Sequence, residues 1–203
     1  MGIAAIYPKR RKHTSIKDNE HKVYPYALGA FKNEEGQVII DRPNRVWSGD
    51  ITYIPDKGGF MYLAAIIDWH SRAILAWQLS NTMDTNLVTG VLQEALIRHG
   101  PPEIFNSDQG SQYTSKEHTQ LLKDHNITIS MNGKGRSIDN ISIERFFRTL
   151  KYEEVYIREY ENVKELKTGI RNFITFYNTR RFHSSLGYRK PMNVYLDKQA
   201  KAA

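Results

Sequence analysis

Three segments rich in β-forming residues follow one another so closely that they leave little choice of topology. Val46 to Ile54 carries alternating β-formers, and Phe60 to Asp68 is a nearly unbroken apolar run, FMYLAAIID. Ala73 to Leu79 follows after the polar turn His70-Ser71-Arg72. Connections of a few residues join antiparallel neighbours, whereas parallel strands need a crossover of a dozen residues or more. The spacing therefore predicts an antiparallel meander.

Downstream the period changes. Thr82 or Asp84 is placed to cap a helix carrying Leu87, Val88, Val91, Leu92, Ala95 and Leu96, and Gly100-Pro101-Pro102 stops it. A short strand, Glu103 to Asn106, runs into Ser107-Asp108-Gln109-Gly110. A helix from Ser115 to about His125, a strand from Ile127 to Ser130 and a glycine-flanked loop from Gly133 to Ser137 come next. Helices from about Asn140 to Glu154 and Asn162 to Tyr177 precede a tail read as mainly irregular. Meander, helix, strand, helix, strand, helix is the order of a ribonuclease-H-like α/β fold, a mixed five-stranded sheet flanked by helices. The expected division is a basic N-terminal arm over 1–45, the core over 46–155, and a C-terminal helical extension with a basic tail over 156–203.

Charge is distributed unevenly along these parts. Residues 1–46 hold nine Lys/Arg against five Asp/Glu, residues 47–144 seven against eleven, and residues 145–203 thirteen against six. An acidic middle between basic ends suits a protein that gathers cations at its centre and polyanions around it. The chain has no cysteine, which excludes disulfides and thiolate zinc sites and points to a reducing compartment. No apolar run approaches the roughly 20 residues of a membrane span, and no secretory leader is evident. A soluble, intracellular protein without a membrane partner is expected.

Three carboxylates stand where they need an explanation. Asp50 occupies a strand position between apolar neighbours in WSGDITY, Asp108 lies where the fourth strand ends, and Glu144 lies in the helix after the glycine-flanked loop. Singly, each has an ordinary reading: a strand-edge aspartate, a turn before Gly110, a surface glutamate. Together they are less ordinary, because the fold would set two on adjacent strands and the third on a helix covering their ends. Converging carboxylates repel one another unless cations intervene, and hard divalent ions prefer oxygen ligands. Two Mg²⁺ or Mn²⁺ ions, roughly 3.5–4 Å apart, would clamp the attacking and leaving oxygens of an in-line displacement at phosphorus. Arg148 and Lys151 share the helical stripe of Glu144 at i+4 and i+7, suited to DNA phosphates.

With these residues in view, the chain resembles the insertion-sequence transposases of the IS-three group, whose core is related to retroviral integrases. The strings WSGDITYIP, AAIIDWHSRAILAW, FNSDQGSQYTS, DNISIERFFRTLKYEEVY and FYNTRRFHSSLGYRKP carry the similarity, from about Trp47 to Pro191. The 35 residues between Asp108 and Glu144 agree with that group's D-D-E spacing. The resemblance implies that Asp50, Asp108 and Glu144 are catalytic metal ligands, and that strand cleavage at element ends is followed by transfer using a 3′-hydroxyl. It further implies a homo-oligomer on DNA, engaging element ends and target, in the bacterial cytoplasm at the nucleoid. Family members usually carry helix-turn-helix material ahead of the core, so end recognition is expected from an upstream region or a separate protein. Ile141 and Arg145 depart from the residues common beside the glutamate, without removing a carboxylate.

Further DNA contacts are expected from Lys134 and Arg136 in the glycine-flanked loop and from Arg180 and Arg181. His183 reads equally as a DNA contact or a structural donor. Asp68 is expected to hold a turn, Asp139 to cap the Glu144 helix, and Gln112 and Tyr113 to line the rim of the site. Two other readings remain: a ribonuclease-H-like nuclease that hydrolyses without joining, and a non-catalytic module that occupies DNA ends.

Overall fold

The first two strands, β1 (Val46–Asp56) and β2 (Gly59–Asp68), pair antiparallel from Trp47 opposite Asp68 to Asp56 opposite Gly59. The antiparallel β3 (Ile74–Ser80) completes the meander. A computed structural model describes residues 22–133 and 141–199 of the chain. After the meander come α1 (Thr85–His99), β4 (Ile104–Ser107), α2 (Ser111–Thr114), α3 (Lys116–Asp124) and β5 (Thr128–Met131). Beyond the segment 134–140 follow α4 (Ile141–Leu150), a π-helical turn (Lys151–Val155), α5 (Val163–Thr179) and α6 (Pro191–Gln199). β4 joins β1 in parallel and β5 joins β4 in parallel, giving the order β3-β2-β1-β4-β5. The mixed five-stranded sheet expected from the sequence is present.

Side chains alternate across a strand, and β2 shows why its sequence is apolar throughout. Leu63, Ala65 and Ile67 face one core with Ile143, Phe146, Phe147 and Leu150 of α4 and Leu166, Ile170, Phe173 and Ile174 of α5. Ala64 and Ile66 face the other, with Leu87, Val88, Val91, Leu92 and Ala95 of α1 and Leu122 of α3. A strand covered on both faces loses the polar half of its alternation. Leu28 and Ile40 enter the first core and Tyr195 of α6 the second, so segments on both sides of 46–155 pack on the same sheet.

Both sheet edges are partly occupied. The Ala27 amide donates to Ser130 Oγ of β5 at 3.0 Å. On β3, the Asn178 side chain accepts from the Ile74 amide at 2.9 Å and donates to the Ile74 carbonyl at 2.8 Å, as a neighbouring strand would.

Caps fall where the sequence places them. Asp84 accepts from the Leu87 amide at 3.0 Å, and Asn162 from the Glu165 amide at 3.0 Å while Glu165 reaches back to the Glu161 amide. Gly100 closes α1 at φ 72°. Two expectations are corrected. The helix expected to run to Glu154 is α-helical only to Leu150 and then widens into the π turn, closed by Tyr156 N–H to Lys151 C=O at 2.8 Å. The tail expected to be mainly irregular contains α6, beginning at Pro191; proline at a first helical position is the signal that identifies it.

Candidate active site

The sheet register brings the first two carboxylates together. Ser48 of β1 lies opposite Asn106 of the parallel β4; Asp50 lies two residues further along β1 and Asp108 just past the end of β4, so both fall at the same end of this strand pair. β1 continues past this point while β4 stops at Ser107, so Asp50 is half-buried and Asp108 is exposed at a strand end. The Asp108 carboxylate accepts from the Gly110 amide at 2.9 Å, fixing the turn into α2. Asp50 accepts from the neighbouring Ile51 amide at 2.8 Å.

Glu144 arrives on a helix packed over the face of β1 that carries Val46 and Ile54, the face Asp50 shares by strand alternation. Ile143, Phe146, Phe147 and Leu150 are buried, each contributing about 1.5–3 kcal/mol, and they hold α4 against the sheet. Glu144 and Arg148 are left on the outer face. Arg72, in a left-handed conformation at φ 63°, donates to Ser142 Oγ and so ties the β2–β3 turn to the first turn of α4.

The charges of the other two acids both reach Asp50. Asp50 is pushed up to about 7, first by burial, then by the negative charges of Asp108 and Glu144; the Ile51 amide and the Lys151 ammonium act the other way. Burial lowers Lys151, and the Asp50 charge opposes that. A carboxylate held this high while two others face it is a site short of positive charge. The donors are all oxygens, the chemistry that hard divalent cations select. Among the described residues, however, no group of three or more His, Cys, Asp or Glu is drawn together tightly enough to hold a metal ion. The donor chemistry fits a divalent cation, and the charges of Asp108 and Glu144 both reach Asp50.

Behind the acids lies an aromatic floor. A Cβ on Gly49 would stand 2.8 Å from Phe105 Cζ and 3.3 Å from the Tyr113 hydroxyl, so only glycine fits at this point of β1. Tyr113 is buried against Asp50 and Asp108, and burial together with those charges raises it well above the usual tyrosine value. It forms the floor of the site and not the rim. Gln112 donates to the Met83 carbonyl at 3.3 Å and ties α2 to the approach to α1. His118 packs edge-on against both Phe105 and Tyr113, at 5.4 and 5.3 Å between ring centroids, and burial lowers it to about 4. Sequence reading overlooked His118. Its position three residues after the capping Ser115, on the buried side of α3, was the available signal.

The other expected residues sort by their partners. Asp68 is fully buried and accepts from the Asn44 amide (2.8 Å), the Ser71 amide (2.7 Å) and Ser71 Oγ (2.6 Å), the turn-holding role expected of it. His183 packs on the Tyr177 ring at 4.7 Å, its Nε2 buried without a hydrogen bond, and burial lowers its pKa. A hydrogen bond to the Tyr177 backbone acts the other way and fits the structural donor considered from sequence. Arg181 is paired with both carboxylate oxygens of Glu153, while Arg180 is exposed. Arg148 lies over the Tyr152 ring at 5.7 Å. Lys134, Arg136 and Asp139 lie outside the described residues.

Known proteins resemble this chain in sequence and in fold. The Integrase core domain family matches residues 40–137, and a second Integrase core domain family matches residues 125–191. The chain is 41% identical over 152 residues to the transposase for insertion sequence element IS904 of Lactococcus lactis subsp. lactis, covering 73% of this chain and 60% of that protein. It is 38% identical over 152 residues to the transposase InsF for insertion sequence IS3A of Escherichia coli, covering 73% and 53% respectively. The chain thus spans between about half and three-fifths of the length of these relatives. Among solved structures, the HTLV-2 integrase catalytic core domain in complex with magnesium, in its dimeric form, superposes with a TM-score of 0.61 at 19% identity, covering 76% of this chain and 97% of that one.

Proposed function

Because the chain belongs to the integrase-core family of insertion-sequence transposases, we propose that it carries the catalytic core of a D-D-E transposase, cleaving DNA strands at element ends and joining them to a target. Asp50, Asp108 and Glu144 are the metal ligands and the catalytic residues of this reading. The observation that carries it is the half-buried Asp50, raised to about 7 by burial and by the facing charges of Asp108 and Glu144. Such crowding wastes stability unless a cation relieves it.

The cofactor of this reading is Mg²⁺ or Mn²⁺, two ions per site; divalent-metal use is supported by analogy with the magnesium complex of the HTLV-2 core. Asp50, Asp108 and Glu144 would hold the ions, which would supply the charge that makes a water or 3′-hydroxyl nucleophilic and the departing oxygen stable. The chain's own part is orientation and charge. Asp50 and Asp108 are set by the strand register, and Glu144 by the buried face of α4 and the Arg72–Ser142 tie. Tyr113 and Phe105 close the floor to water. Arg148, Lys151, Lys134, Arg136, Arg180 and Arg181 hold DNA phosphates, Arg181 only when its pair with Glu153 opens.

The core over 46–155 performs the chemistry, with 1–45 and 156–203 supplying basic flanks. The working form is a homo-oligomer pairing two DNA ends in the bacterial cytoplasm at the nucleoid. A helix-turn-helix region upstream or a separate protein contributes end recognition. No described helix is long and apolar enough to cross a membrane.

The test is a strand-transfer assay with a pre-cut 3′-hydroxyl DNA end and Mg²⁺ or Mn²⁺. Wild type joins the end to target DNA, and Asp50→Asn, Asp108→Asn and Glu144→Gln abolish joining while remaining folded. Hydrolysis without joining would assign a nuclease. Folded wild-type protein that neither cuts nor joins would defeat the reading.

A further inference from the structure

The helix of Glu144 does not end its surface pattern at the two cations. Glu144, Arg148, Tyr152 and Tyr156 fall at successive intervals of four residues, which share one face of a helix. The π turn over Lys151–Val155 changes the winding within this series, yet the rings of Tyr152 and Tyr156 meet edge-on at 5.4 Å. Both rings are open to solvent, 63% and 53% exposed. The Arg148 guanidinium lies over the Tyr152 ring at 5.7 Å, and Lys151 is close enough to Asp50 for their charges to interact. One exposed track thus runs from a carboxylate through a cation to two uncovered aromatic faces.

We propose that Tyr152 and Tyr156 form a stacking subsite for an unpaired nucleotide of the DNA end processed at Asp50, Asp108 and Glu144. The proposal rests on the DNA-processing reading of those carboxylates. Every base has a π face, so exposed aromatics beside a cationic track bind single-stranded nucleotides without needing sequence readout. In a paired duplex the same faces are already stacked and unavailable. The Arg148 and Lys151 charges favour a polyanion over an apolar protein surface as the occupant, and a guanidinium over the Tyr152 ring adds cation–π attraction. Strand separation at the end also frees the scissile phosphodiester to reach carboxylates at a strand end.

The experiment uses the full chain in EDTA, so that binding is read without cleavage. Two DNAs are compared, a flush duplex and one with a two-nucleotide 3′ overhang carrying terminal 2-aminopurine. Wild type is expected to quench the 2-aminopurine. Tyr152→Ala should lose the quenching and bind the overhang DNA roughly tenfold more weakly, with flush-duplex affinity and the salt slope unchanged because no charge is removed. Tyr152→Phe should restore both. If Tyr152→Ala keeps quenching and affinity, the subsite is overturned while the DNA reading stands. If wild type binds neither DNA, the DNA reading fails and takes the subsite with it. Should Tyr152→Ala instead shift the sedimenting species to a smaller oligomer with quenching intact, the rings are a protein interface and the proposal is overturned.

Discussion

Asp50 and Asp68 are two strand aspartates in regions of opposite design. Asp68 closes β2 with no exposure and accepts three hydrogen bonds, from Asn44 and twice from Ser71. Asp50 sits in the neighbouring strand with one local donor, and two further carboxylates face it. Burial raises both, but three donors favour the charged form of Asp68, whereas around Asp50 one amide and the Lys151 charge are set against two facing carboxylates. A buried acid whose lone pairs are answered by its own chain is structural, while one confronted with like charge awaits something the chain does not provide. The difference separates two residues that hydrophobic pattern alone would treat alike.

The largest effects should come from exchanging those roles. Asp50→Asn removes a ligand and should lower strand transfer by roughly 10³-fold or more, since a bound metal supplies several kcal/mol of charge stabilisation. The same change should stabilise the metal-free protein above pH 7. Asp50 is raised in the folded state, so folding favours its protonated form, and its contribution is lost as pH rises from about 4 through about 7. Asparagine keeps the neutral shape at every pH. Denaturant titrations at pH 6 and pH 8 should therefore diverge for wild type and converge for the variant. Asp68→Ala should do the reverse, costing about 3 kcal/mol or more by orphaning buried donors, and losing activity only in proportion to unfolding. An Asp68 variant that stays fully folded and inactive would erase the contrast.

Divalent metal should act on one region only. At Mn²⁺ concentrations near 100 times its dissociation constant, wild type should gain about 2.7 kcal/mol of apparent stability. Asp50→Asn should gain much less, and Asp68→Asn should respond like wild type. Equal thermal shifts in wild type and Asp50→Asn would place the ion elsewhere.

The sequence made the strand-borne half of the site more legible than the rest. Register follows from the meander and from β4 adding in parallel, so the positions of Asp50 and Asp108 were readable from period and turn length. Apolar spacing also placed Ile143, Phe146 and Phe147 inward and Glu144 outward. The π turn was not readable, because LKYEEV has ordinary helical composition and its winding depends on how Val155 and Glu154 are buried. Nor were the pairings of Arg181 with Glu153 and Arg72 with Ser142, which join residues distant in the chain. Local pattern gives faces, whereas partners across elements require the packing itself.

The aromatic floor beneath Asp50 extends the comparison to a base. His118 is buried and lowered to about 4, so folding favours its neutral form. Its contribution is complete above about pH 6.5 and is lost as pH falls toward 4, because the unfolded chain takes up the proton first. Between pH 7 and pH 4.5 this should cost wild type about 2 kcal/mol more than His118→Phe. Equal acid sensitivity of the two would mean that the ring finds a proton acceptor near Tyr113.

The smallest effect sharpens the rule where charges are matched at the surface. Arg181 is tied to Glu153, and Arg180 beside it has no ion pair among the described residues. An exposed or half-exposed pair contributes at most about 1 kcal/mol, so Arg181→Ala should barely change the denaturation midpoint. A cation already answered by a carboxylate releases little on meeting a phosphate, because that attachment must first be broken. Arg180→Ala should therefore lower DNA affinity and reduce the salt slope by about one unit, whereas Arg181→Ala should change the slope by less. The opposite ranking in a binding titration across salt would mean that Glu153 gives up its partner to DNA at little cost, and that matching alone does not separate structural from functional charge on this surface.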